Sequence, residues 1–213
     1  MYRRRLLGQL GLLSGTAGLD REPLGRLVEP GQETATAHQF SGERAGFSEP
    51  VGLTDGVTTV DIEHTGESAV GVSLVEADST EARQLLNDDS GRTAGTVFLA
   101  VDGEYRFGVT TAGGWRIECV QPAASTVGQA LPPQSATGEG SSYLNPVLLN
   151  RTTELTATHS GDGAFRVTGY TEGGERQQLI DDTGAVESWT TTDLSGAVWF
   201  AVEATGEWQL EVF

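Results

Sequence analysis

The chain writes most of itself twice. Ser41, Gly42 and Glu43 return as Thr137, Gly138 and Glu139, and Phe47, Pro50, Val51 and Leu53 as Tyr143, Pro146, Val147 and Leu149, all at an offset of 96. The offset is 95 at His64 and Gly66 against His159 and Gly161, and 94 at Gln84, Leu85 and Asp88 against Gln178, Leu179 and Asp182. It is 93 at Phe107, Val109, Gly113 and Trp115 against Phe200, Val202, Gly206 and Trp208. Three single-residue slips, with anchors kept between them, are the trace of a tandem duplication. The fold must therefore close within a unit of about 80 residues and do so twice.

Each unit is patterned with period two. Val60 and Ile62 share a face, as do Val70, Val72 and Leu74, and Tyr105, Phe107 and Val109. The second unit offers Leu155 with Ala157, Phe165 with Val167, and Val198 with Phe200 and Val202. Alternation of this kind makes strands that are buried on one side. Turn signals such as "TGE", "SGDG", "NDDSG" and "TAGG" follow at intervals of about 8 to 12 residues, the spacing of antiparallel sheets folded over one another. The expected fold is all-β: two tandem antiparallel β-sandwich domains, jelly-roll-like, of seven or eight strands each. Only "STEARQLL" and the amino-terminal segment look helical. A module of this size buries only about 60 to 65% of its unfolded surface, so each is modestly stable alone.

The organisation that follows is an export signal over residues 1–19, a linker over 20–40, module 1 over 41–121, a linker over 122–136 and module 2 over 137–213. The start, "MYRRRLLGQLGLLSGTAGLD", sets three Arg before a short apolar run and then small residues near Gly18 where a signal peptidase cuts. It resembles a twin-arginine signal, carried by Arg3, Arg4 and Arg5 before Leu6 and Leu7. The run is too short to span a bilayer, and no Cys follows it for a lipid anchor. The second linker, rich in small residues and Pro, keeps the modules near each other without forcing an interface.

Charge narrows the setting further. All 13 basic residues are Arg, none is Lys, and 30 acids leave a formal net charge of −17. Such a surface repels itself in dilute buffer and is screened at molar salt, where the Debye length falls to about 3 Å. The expectation is a protein of saturated brine, whose fold weakens as salt is withdrawn. Nucleic acid is excluded as a partner by the sign of the charge.

The search for chemistry returns little. No G-x-S-x-G, H-E-x-x-H or P-loop occurs, and three His in all, His38 in the first linker and one in each module, cannot supply a catalytic triad or a three-His zinc site within one module. The expectation is no enzyme. Cys119 is the only cysteine and stands where Val212 stands in the second unit, the position of a small buried hydrophobe. The acid pairs Asp88 with Asp89 and Asp181 with Asp182 fall in expected turns; they are candidate calcium ligands, although the spacing of a dedicated calcium loop is missing. His64 in "HTGE" and His159 in "HSGD" each fall on the inward side of a strand, before a Gly turn. The expected role is structural, a ring at the rim of the core with one nitrogen on a backbone carbonyl; the rival is a His-plus-acid metal site. Trp189 and Tyr170 have no aromatic counterpart in the first unit and are candidate ligand-stacking residues. Asn150 opens the glycosylation sequon "NRT".

A Gly-acid start, a Pro-Val-x-Leu strand, H-[ST]-G-[DE] before an apolar strand and a closing G-x-W-x-[IL]-E resemble small exported β-sandwich modules of halophilic archaea and bacteria, often in tandem, and are similar to pre-peptidase C-terminal domains. The resemblance spans about residues 41–119 and 137–213 and carries no catalytic residue across. It implies a non-catalytic, extracellular or cell-surface binding or adhesion module for a glycan, an envelope component or a protein, with no transmembrane span in the mature chain. The alternatives are a structural envelope or stalk protein, and a calcium-stabilised accessory domain of a secreted enzyme system.

Overall fold

The computed structural model describes residues 35–65, 69–79, 81–89, 93–123 and 129–213, and every regular element among them is a strand. Module 1 consists of β1 (Thr36–Gly42), β2 (Gly46–Phe47), β3 (Val51–Leu53), β4 (Gly56–His64), β5 (Val70–Glu76), β6 (Ala82–Asp88), β7 (Thr93–Ala100), β8 (Gly103–Thr110) and β9 (Trp115–Gln121). Module 2 consists of β10 (Gln134–Glu139), β11 (Ser142–Leu149), β12 (Thr153–His159), β13 (Ala164–Thr171), β14 (Arg176–Thr183), β15 (Val186–Thr192), β16 (Gly196–Ala204) and β17 (Glu207–Val212). Among the described residues no helix is long and apolar enough to cross a membrane.

The strands form four antiparallel sheets, two per module. The first sheet of module 1 runs β1-β9-β4-β7 and the second β2-β8-β5-β6, with β3 also on β8. Module 2 repeats the order as β10-β17-β12-β15 and β11-β16-β13-β14. In each module the first strand pairs with the last, and the chain crosses between the two sheets at most steps, with one hairpin kept inside a sheet (β5–β6 and β13–β14), a jelly-roll-like arrangement. The period-two residues face inward: Val60, Ile62, Phe107, Ile117 and Cys119 join one core, and Leu155, Ala157, Phe200, Leu210 and Val212 the other.

Local irregularities recur too. The register slips between Val72 and Ser73 on β5 and at the matching Val167 and Thr168 on β13. Pro50 separates β2 from β3, and Pro146 sits in the register break of β11, because proline has no N–H for the ladder.

Three expectations are corrected. The stretches 20–40 and 122–136 are not wholly linker, since β1 starts at Thr36 and β10 at Gln134; both are outer strands whose polar, half-buried alternation reads as loop. "STEARQLL" is not helical: Ala82 to Leu86 lie on β6, where pairing with β5 overrides local helix preference. The modules also share an interface. Val57 and Val97 on the outer side of the first sheet of module 1 pack on Tyr170, Ala197 and Trp199 of module 2, with Leu99, Tyr143 and Ala201 at the border. Polar contacts flank this cluster. Gly95 N–H donates to Ser141 O (3.0 Å), Ser141 N–H to Asp88 Oδ1 (2.7 Å) and the Tyr143 hydroxyl to Asp61 Oδ2 (2.6 Å). The export segment, Gly66 and Glu67 lie outside the described residues.

Candidate functional site

At one end of each sandwich three strands bring a Gly, a Trp and a His into one row. Gly42 pairs with Trp115 and Trp115 with His64; Gly138 pairs with Trp208 and Trp208 with His159. The indole lies across the glycine. A Cβ on Gly42 would stand 2.7 Å from the Trp115 ring, and one on Gly138 2.5 Å from Trp208, so no larger residue fits there. Trp115 Nε1–H donates to Arg44 O and Trp208 Nε1–H to Gly140 O, each at 2.8 Å. Buried Trp needs such an acceptor.

Above each row is a shallow concavity, about 650 Å³ in module 1 and about 510 Å³ in module 2. Glu43, Glu63 and Arg116 border the first; Glu139, Glu207 and Gln209 border the second. Both His are buried beneath this rim. His159 stacks on Phe165 with centroids 4.8 Å apart, and its Nδ1 lies 2.9 Å from Gly184 O, so Nδ1 carries the proton that the carbonyl accepts. Gly161 is required by the same packing, because a Cβ there would come within 2.7 Å of His159 Nε2. His159 thus holds the strand exit against the core, and Asp162 beside it is exposed. His38, expected in a linker, lies on β1 opposite Cys119.

The two candidate stacking residues part company. Trp189 is 64% exposed on the outer face of β15. Around it that sheet presents Glu154, Thr156 and Thr158 from β12, Glu207, Gln209 and Glu211 from β17, and Thr191 from β15, a polar face with one indole standing on it. Thr156 pairs across the strands with Trp189 and its hydroxyl donates to Glu211 Oε2 at 3.1 Å. Tyr170 is instead 6% exposed and belongs to the interface between the modules. The expectation of a ligand-stacking ring fails at Tyr170, which packs with Val57 and Val97 of module 1.

The four acids do not converge. Asp88 is 1% exposed and accepts from Ser141 across the interface. Asp89 is exposed just beyond β6. Asp181 accepts from Arg166 Nε (2.8 Å) and Asp182 from the Ser188 hydroxyl (2.6 Å). Asp88, Asp181 and Asp182 lie on strands, not in turns, and among the described residues no group of three or more His, Cys, Asp or Glu could hold a metal ion. Asn150 is exposed after β11, which leaves its side chain accessible. Burial pushes the Cys119 thiol up to about 12, so it stays protonated. Sequence reasoning passed over Asp61, Arg83, Arg166 and Arg176, none of which recurs in the other unit, and that lack of a counterpart is the signal that marks them; Tyr143 was read only as the repeat partner of Phe47, which lacks its hydroxyl.

No protein-family model matches the chain, and no curated protein matches it. Among solved structures it is similar to the PBSX exported protein XepA, at 10% identity and a TM-score of 0.28, over 85% of this chain and 87% of that one. It is also similar to vicilin from Corylus avellana (hazelnut), at 9% identity and a TM-score of 0.24, over 85% of this chain and 74% of that one.

Proposed function

We propose that this chain is a non-catalytic, exported or cell-surface binding module adapted to high salt, and that its ligand is a glycan of the envelope or surroundings. The observation that carries the reading is the Trp189 face. An indole exposed on a polar sheet face can stack on the C–H face of a sugar ring, with neighbouring Glu, Gln and Thr side chains in reach to hydrogen-bond its hydroxyls. The Arg-led apolar start supports export, and 30 acids against 13 Arg without Lys support a brine habitat. We read the shared strand order and the recurring bulge as products of internal duplication, and the chain as one of the tandem exported sandwich modules, similar to pre-peptidase C-terminal domains, that its motifs resemble.

The test is a glycan and envelope-fraction binding screen in molar salt. Wild type should bind at least one glycan saturably, and Trp189→Ala should weaken that binding about fivefold or more, since aromatic stacking of this kind contributes on the order of 1 kcal/mol or more. Absence of saturable binding by the wild type would instead favour a structural envelope or stalk role.

A further inference from the structure

Where module 2 docks on module 1, the seam between β6, β7, β13 and β14 encloses a cleft of about 210 Å³ lined by Arg83, Arg166 and Arg176. The chain carries 30 acids against 13 Arg, so three guanidiniums on one small cleft run against its overall charge. They come from both modules, and the cleft exists only because the modules dock.

Each guanidinium is positioned by the protein. Arg83 lies over the Phe98 ring at 5.6 Å and Nη1 donates to Leu99 O at 3.2 Å. Arg176 lies 6.0 Å from the centroid of Tyr170, and its Nε donates to the Tyr170 hydroxyl at 3.4 Å. Arg166 is held by Asp181 (2.8 Å) and by Glu203 (3.1 Å), which itself borders the cleft. Among the described residues neither Arg83 nor Arg176 has a carboxylate within ion-pair distance. A guanidinium has five N–H donors, and these contacts use one on Arg83 and one on Arg176. The remaining donors form the planar fork that fits an oxyanion, and Thr96, Thr168 and Gln178 add neutral polar groups to the lining.

We propose that this seam is a binding site for a small oxyanion group, a carboxylate or sulfate, gripped chiefly by Arg83 and Arg176 while Arg166, neutralised by Asp181 and Glu203, frames it. The site is separate from the Trp189 face and does not rest on the glycan reading. The same chemistry has two sources, a free inorganic anion or an acidic sugar.

The experiment titrates the full chain with sulfate, with glucuronate and with neutral glucose at constant ionic strength set by sodium chloride, and follows the indole N–H signals by NMR. The Trp199 signal, at the interface beside the cleft, should shift saturably with sulfate, glucuronate or both, and not with glucose. Saturation by sulfate alone marks a free anion as the ligand; tighter saturation by glucuronate marks the acidic sugar. Arg83→Gln with Arg176→Gln should weaken the response at least about tenfold, as loss of charge-assisted hydrogen bonds does. Arg83→Lys with Arg176→Lys keeps the charge, guards against a folding failure, and should weaken it less. Arg106→Gln, outside the cleft, should leave it unchanged. No saturable shift in the wild type, or equal shifts in the wild type and the Gln and Lys double variants, would overturn the site.

Discussion

The two modules share one strand order and differ in which outer face they leave open. In module 1 it is the β4–β7 side of the first sheet that meets the other module, with β6 at its border; in module 2 it is the second sheet, through β11, β13 and β16, while the first sheet carries Trp189 on an open face. The register makes the comparison residue by residue. Tyr170 pairs with Trp199 where module 1 pairs Val75 with Arg106. Ala197 stands where Glu104 stands, and the half-covered Tyr143 where Phe47 is 66% exposed. On the other pair of faces, Asp61 opposite Gly95 answers to Thr156 opposite Trp189. A Cβ on Gly95 would lie 3.0 Å from the Tyr143 ring, so the glycine makes room for the docked module. An indole at the matching position of module 2 leaves no such room, and the open face cannot accept another module in the same way. The inward residues specify the sandwich; the outward ones decide what each sandwich meets.

The sharpest way to break this comparison is to remove Trp199, which is 1% exposed although it sits on an outer face. Trp199→Ala should destabilise the chain by about 3 to 5 kcal/mol, the usual loss for a large buried aromatic. Arg106→Ala, at the matching position of module 1, should change stability by no more than about 0.5 kcal/mol. Urea unfolding of the two variants measures both. Equal effects would mean that the interface does not hold in solution.

A second test sets the likeness of the modules against their difference. His159→Ala removes a ring stacked on Phe165 and bonded to Gly184 O, and should cost about 1 to 3 kcal/mol. His64→Ala should fall in the same range, because His64 is equally buried beside the equivalent Trp. A loss at one site only, seen in thermal unfolding, would show that the rows are alike in geometry and unlike in energy.

These contrasts also explain what could be read from the sequence. The cores were legible because inward residues repeat with period two and recur in both units, and Trp115, Trp208, His64 and His159 were legible as anchors for the same reason. The edge strand "TAHQFSG" was not, since it alternates between half-buried and exposed residues and sends only Phe40 as a large apolar side chain toward the core. The docking was not legible either, because it resides in residues that differ between the units, such as Trp199 against Arg106. An unmatched aromatic in one copy means either a ligand face or an interface, and Tyr170 and Trp189 take one course each. Only knowledge of which outer face is covered separates them, and sequence spacing does not carry it.

The smallest expected effect lies at the border of the interface. Burial against the facing sheet raises the Asp61 carboxyl above its ordinary range, the hydrogen bond from Tyr143 opposes this, and the Glu118 charge adds to the rise. A carboxyl raised on folding favours the folded state while it is protonated. That contribution is fully present below the ordinary aspartate value of about 3.9 and is lost as the pH climbs through the raised one. At neutral pH the ionised Asp61 therefore weakens the docking slightly. Asp61→Asn keeps an acceptor for the Tyr143 hydroxyl without the charge, so at pH 7 it should be more stable than the wild type, by less than about 0.5 kcal/mol as befits a partly solvated site. The gain should shrink as the pH falls and vanish below about 4. Thr156→Val, at the matching position on the open face, should show no such pH dependence. Thermal unfolding of the three proteins between acid and neutral pH decides it. An Asn variant less stable than the wild type at pH 7 would mean that the charge-assisted bond from Tyr143 outweighs the cost of burying the carboxylate, and that the interface is held there by charge.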